Sequence, residues 1–84
     1  MDNELTDQAI QKLLVAVGAE PGVTSADFDT PVEDLDLDSL ARTELAFRIK
    51  DLTGIDIEER IAPTTTPNAM RRMVLDDLSS RAQP

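Results

Sequence analysis

The sequence predicts an all-α fold: a small four-helix bundle, three main helices plus one short helix, with a long loop between helices 1 and 2. Three observations predict it. Apolar residues recur at helical spacing in three separate stretches of the 84 residues. Each stretch is bracketed by residues that start or stop helices. No stretch keeps the apolar–polar alternation of a half-buried strand. At this length the chain makes a single domain, residues 1–84, with its core over about 5–78 and a frayed tail over 79–84. A domain this small buries only about 60% of the surface its unfolded chain exposes, which leaves no room for a deep enclosed active site.

The first helix is expected from Asn3 to Val17, where Ile10, Leu13, Leu14 and Val17 fall on one face. Gly18 suits the position just past its end, and Pro21 prevents continuation. From Ala19 to Leu37 the chain is too irregular for a helix. A long loop in a small domain is uncommon and often functional; Val23, Phe28, Val32, Leu35 and Leu37 are its candidate anchors to the core. The second helix is expected from Ser39 to Leu52, with Asp38 as N-cap, Gly54 as stop, and Ala41, Leu45, Ile49 and Leu52 as its buried stripe. Ile55-Asp56-Ile57 is short and extended, and Glu58 to Ile61 forms one helical turn before Pro63. The last helix opens at Thr66, with Pro67 in the first helical position, and turns Met70, Met73, Val74 and Leu78 inward.

Composition excludes whole classes of function. Net charge is −9, the wrong sign for nucleic acid or an anionic membrane face, and suited to partners with basic patches. The imbalance is local: ten acids and one base precede Ser39, and seven of each follow from there. There is no Cys, hence no disulfide, thiolate nucleophile or cysteine zinc site, and no His, hence no imidazole base. Trp and Tyr are absent too, so no stacking platform for bases can be built. An acidic start, with no apolar leader run and no stretch near the ~18 apolar residues of a membrane span, gives a cytoplasmic reading.

The segment Glu33-Asp34-Leu35-Asp36-Leu37-Asp38-Ser39-Leu40 carries the chemistry. Alternating Asp34, Asp36 and Asp38 invite a calcium loop. A calcium loop of the EF-hand kind started at Asp34 would put Ser39 where the glycine turn belongs and Leu45 where the closing glutamate belongs, so no metal site is expected. Asp38-Ser39 also reads as an ordinary capped helix start. A hydroxyl in the first turn of a helix is nonetheless well presented, and the positive helix end favours an added phosphate. With no suitable base in the chain, Ser39 would be modified by another enzyme and would not itself catalyse.

The run Asp34-Leu35-x-Leu37-Asp38-Ser39-Leu40, with Glu44-Leu45, Arg48-Ile49 and Thr53-Gly54 behind it, resembles the acyl carrier protein family, in particular its polyketide-synthase type. The similarity spans roughly residues 5 to 80. It implies that Ser39 carries a covalent 4′-phosphopantetheine drawn from coenzyme A, that Asp38 belongs to the attachment motif, and that acyl cargo is held as a thioester on that arm. The arm would supply the thiol that a chain without Cys lacks. The resemblance further implies a contact patch at Leu40 and Phe47, with Asp36, Arg42, Glu44 and Arg48 as further partner-binding residues. Phe47 is open to a second reading, as a core residue. Where this chain has Asp36, carriers often have Gly. Arg42, Arg48 and Lys50 make the second helix more basic than in fatty-acid carriers.

The expected protein is thus a freestanding, monomeric, non-enzymatic carrier. Its partners would be a phosphopantetheinyl transferase and an acyltransferase, ketosynthase or adenylating loading enzyme. The alternatives are a freestanding peptidyl carrier of a nonribosomal peptide pathway and, from a different class, a non-carrier helical interaction module.

Overall fold

The computed structural model describes residues 5–81. Three α-helices occupy the stretches whose periodicity predicted them: α1 Asp7–Ala16, α2 Ser39–Thr53 and α3 Pro67–Arg81. Among the described residues there is no strand.

α1 starts at Asp7 and not at Asn3, which lies outside the described residues, because Thr6 takes the cap. Its backbone is extended (φ −69°, ψ 165°) and its hydroxyl accepts from the Ala9 N–H at 3.1 Å. α2 begins and ends on its predicted signals. Asp38 caps it, and Gly54, in the left-handed region at φ 80°, closes it by donating its N–H to the Lys50 carbonyl at 2.7 Å. Thr66 caps α3 through the Ala69 N–H at 3.0 Å. α3 continues to Arg81, beyond the point where the frayed tail was expected to begin; residues 82–84 lie outside the described residues.

Where one helical turn was expected over Glu58 to Ile61, the chain makes a single 3₁₀ turn, Glu58–Arg60, and not a fourth α-helix. Asp56 initiates it by accepting from the Glu58 N–H at 3.0 Å. Pro63 follows too closely for a second turn to form.

The loop between α1 and α2 holds two more 3₁₀ turns, Ser25–Asp27 and Val32–Leu35. Val23, Phe28, Val32 and Leu37 are buried as expected, and Leu35 is partly buried. They share one core with Leu5, Ile10 and Leu14, with Leu45 and Ile49 of α2, with Ile55 and Ile57, and with Met70 and Val74 of α3. Each such burial contributes about 1.5–3 kcal/mol. Two pairs of hydrogen bonds latch the loop to the chain around the start of α3. The Val32 and Glu33 N–H groups donate to the Thr65 and Pro63 carbonyls at 2.9 and 3.1 Å. The Asn68 backbone N–H donates to the Phe28 carbonyl at 3.0 Å, and its side chain to Asp29 at 2.8 Å.

The buried arc of α2 departs from the expected stripe. Leu45, Ala46, Ile49 and Thr53 are buried, whereas Leu52 is 45% exposed. At 3.6 residues per turn the arc centres between Ile49 and Thr53, and Leu52 falls about 75° from that centre. Thr53 tolerates burial because its hydroxyl is satisfied twice, donating to the Ile49 carbonyl at 2.7 Å and accepting from the Ile55 N–H at 3.1 Å.

Candidate functional site: the start of helix α2

Ser39 is the first residue of α2 and is exposed. Four local features place it. Leu37, two residues earlier, is buried and anchors the end of the loop. Asp38 is extended (φ −77°, ψ −175°), and its Oδ1 accepts from the Ala41 N–H at 2.8 Å, with its carbonyl accepting from the Arg42 N–H at 2.9 Å. Asp36 sits in the left-handed region at φ 65°, the one non-glycine residue with positive φ among those described. Finally, the Arg42 guanidinium donates through Nη1 to the Leu37 carbonyl at 3.0 Å.

The conformation of Asp36 explains how this chain does without a glycine there. A left-handed turn is needed to swing the chain from the 3₁₀ turn at Val32–Leu35 into the cap. Glycine enters that region freely, and Asp is among the few other residues that visit it routinely. Among the described residues, no three carboxylates come together as a metal site.

The other predicted site residues fall into two groups. Leu40 and Phe47 are 75% and 68% exposed on one face of α2, directly opposite the core. Their exposure decides between the two readings of Phe47: it is a surface residue. Glu44 and Arg48 lie beside them and pair with each other, Arg48 Nη2 to Glu44 Oε2 at 2.8 Å. An exposed pair of this kind is worth about 0.3–0.5 kcal/mol and opens readily when a partner approaches. Arg42 stands apart from this face, its guanidinium turned toward the loop.

Three residues not singled out as site residues, Leu13, Asp51 and Leu52, join the Phe47 face. Leu13 of α1 and Leu52 of α2 line, with Phe47, Glu44, Arg48 and Asp51, an open cleft of about 470 Å³ between the two helices. The signal for Leu52 was its offset from Ile49 and Thr53 around the helix; for Leu13 there was none. Inside the bundle, the void walled by Leu14, Leu45, Ile49 and Met70 measures about 10 Å³. That is no more than the ~10–15 Å³ a single water needs. The described structure contains no preformed interior chamber for a cargo there; what it offers is an outer cleft.

Residues 11–74 match the family model of the phosphopantetheine attachment site. The chain belongs to that carrier family. No curated protein and no solved structure matches it significantly. The carrier is therefore not a catalyst, and its cofactor is a covalently attached 4′-phosphopantetheine. Carriers of this kind work with the transferase that installs the group and with the enzymes that act on what it holds. The residues present fit such a group. An exposed hydroxyl stands at a helix N-terminus whose first N–H groups favour phosphate, and no side chain is hydrogen-bonded to that hydroxyl among the described residues. The group supplies a terminal thiol, which this carrier, having no Cys, cannot supply from its own chain. No helix of the carrier is long and apolar enough to cross a membrane, among the residues described.

Proposed function

We propose that this chain is a monomeric acyl carrier protein of a polyketide pathway, with its 4′-phosphopantetheine arm on Ser39 and its acyl cargo held there as a thioester. The observation that carries the attachment site is the position of Ser39: exposed, first in α2, directly after a capping aspartate, and inside the matched segment. Polyketide cargo is supported by the Glu44-Leu45 and Thr53-Gly54 spacing behind that serine. We place the work in the cytoplasm, where coenzyme A is available to donate the arm.

Ser39 Oγ acts as the nucleophile toward the coenzyme A phosphorus that bears the pantetheine arm; the new O–P bond forms as the pyrophosphate P–O bond breaks, and adenosine 3′,5′-bisphosphate leaves. Its proton passes to a base on the transferase, since Asp38, the nearest carboxylate in sequence, is committed to the Ala41 N–H and the chain has no His. Asp38 holds the helix start, and Asp36 shapes the turn into it. Leu40 and Phe47 give partner enzymes an apolar contact, with Glu44 and Arg48 at its flank. The acidic run from Asp27 to Asp38 draws in basic partner surfaces over the ~8 Å Debye length of physiological salt.

Intact mass after incubation with coenzyme A, Mg²⁺ and a broad-specificity phosphopantetheinyl transferase tests this reading. The carrier gains one phosphopantetheine and Ser39→Ala gains none. A modified Ser39→Ala variant would refute the assignment of the site. Loading the holo-form with malonyl groups by an acyltransferase, against aminoacyl groups by an adenylating enzyme, then separates the acyl carrier from a peptidyl carrier.

A further inference from the structure

Ser39 is presented by two peptide units, those of Leu37 and Asp38, and a single residue bonds to the carbonyls of both, one through its side chain and one through its backbone. Arg42 lies one turn into α2. Its backbone N–H takes the Asp38 carbonyl at 2.9 Å, as any helix would have it. Its guanidinium reaches further back, Nη1 to the Leu37 carbonyl at 3.0 Å, a bond that lies outside the helical ladder. Leu37 is otherwise tied only through its N–H, to the Val32 carbonyl at 3.2 Å, and through its buried side chain. The residue before it, Asp36, is held in the left-handed region, where a non-glycine backbone is strained. A strained turn leading into a helix start relaxes unless something fixes its far side. Arg42 is partly buried at that place, and arginine's planar fork suits the task because little further freedom is lost when it binds.

We propose that Arg42 is a positioning residue for Ser39: its clasp on the Leu37 carbonyl holds the run-up to the serine in the one arrangement a transferase accepts. The proposal rests on Ser39 being the attachment site. With the clasp removed, the start of α2 samples other arrangements. The transferase then binds only the ordered fraction, so its apparent affinity falls by that fraction while turnover of the bound carrier is retained.

The test uses the whole chain in its unmodified form, with Arg42→Met, which keeps the stem and removes the donors, and Arg42→Lys, which restores one donor. Amide hydrogen exchange is followed at Leu37 and Ala41, whose N–H groups bond on either side of the clasp. In Arg42→Met these two amides exchange roughly three- to tenfold faster, the loss expected for one hydrogen bond, while core amides such as Leu14 and Val74 keep their rates. KM for the carrier in transfer from coenzyme A rises in inverse proportion to the ordered fraction that remains, with kcat kept, and Arg42→Lys recovers part of both.

Three results would overturn the proposal. Exchange unchanged with a raised KM and a flattened salt dependence would make Arg42 a partner contact. Exchange faster everywhere would make it a general stabiliser. No change in either would make the clasp idle. The exchange readout does not involve modification, so a Ser39→Ala variant that still gained the arm would refute the attachment site and leave the clasp to be judged on exchange alone.

Discussion

Phe47 and Leu45 stand two residues apart on α2 and face opposite ways, so truncating each to alanine separates partner contact from folding. Leu45 is 2% exposed and Phe47 is 68% exposed. Leu45→Ala removes a core side chain and leaves a hole, a change that costs about 2–5 kcal/mol. In a domain of this size each kcal/mol shifts the melting temperature by about 4–8 °C, so a fall of roughly 8–40 °C is expected. Phe47→Ala removes a ring with only a third of its surface covered and installs a better helix former, so stability should move by less than about 1 kcal/mol. The exposed two-thirds of a phenylalanine amounts to about 100–170 Å². If a partner covers half of that, the loss on truncation is about 1–2 kcal/mol at ~25 cal/mol per Å², or roughly 5–30-fold in apparent affinity. Both variants are melted by circular dichroism. Transfer and acyl loading are then assayed at a temperature where each is folded. Should Phe47→Ala melt as low as Leu45→Ala, or load at the parent rate while folded, the contact reading of the exposed face is wrong.

Substitutions at two further positions probe the backbone around α2. Asp36→Gly relieves a left-handed residue and should raise the melting midpoint or leave it level, whereas Asp36→Val should lower stability by about 1–2 kcal/mol; thermal melts of the pair check the sign. Thr53→Val keeps the shape of the buried side chain but strands the Ile55 N–H, which now bonds to the hydroxyl at 3.1 Å, and should cost about 1–3 kcal/mol in urea unfolding.

The helices were legible because their signals are local. Thr66-Pro67, Asp38-Ser39 and Gly54 each mark an end by chemistry confined to a few residues, and the structure uses each as marked. Ser39 stood out by its tripeptide and spacing, and its place in the first turn of a helix already pointed to the exposure the structure shows. Leu52 was misplaced because a helix wheel gives relative angles and no absolute direction: the neighbours of α2, not its own periodicity, decide where the buried arc is centred. The turn at Glu58 was legible in its length, which Pro63 limits to a single turn, but not in its 3₁₀ form. Arg42 gave no sign of its inward clasp, since a cation on a helix looks solvated until the loop it reaches is folded beside it.

The latches between the long loop and the chain around α3 bear on when the site comes into being. Their partners are far apart along the polypeptide: Val32 and Glu33 bond to Thr65 and Pro63, and the Phe28 carbonyl to Asn68. During synthesis from the N-terminus, the tripeptide Asp38-Ser39-Leu40 is complete long before any of these partners exists. A nascent chain halted ahead of Pro63 would display Ser39, the proposed attachment site, without the contacts that anchor the segment leading to it. Full presentation of Ser39 is thus tied to emergence of Asn68, so that the chain offers its serine in finished form only after the first turn of its last helix has been made.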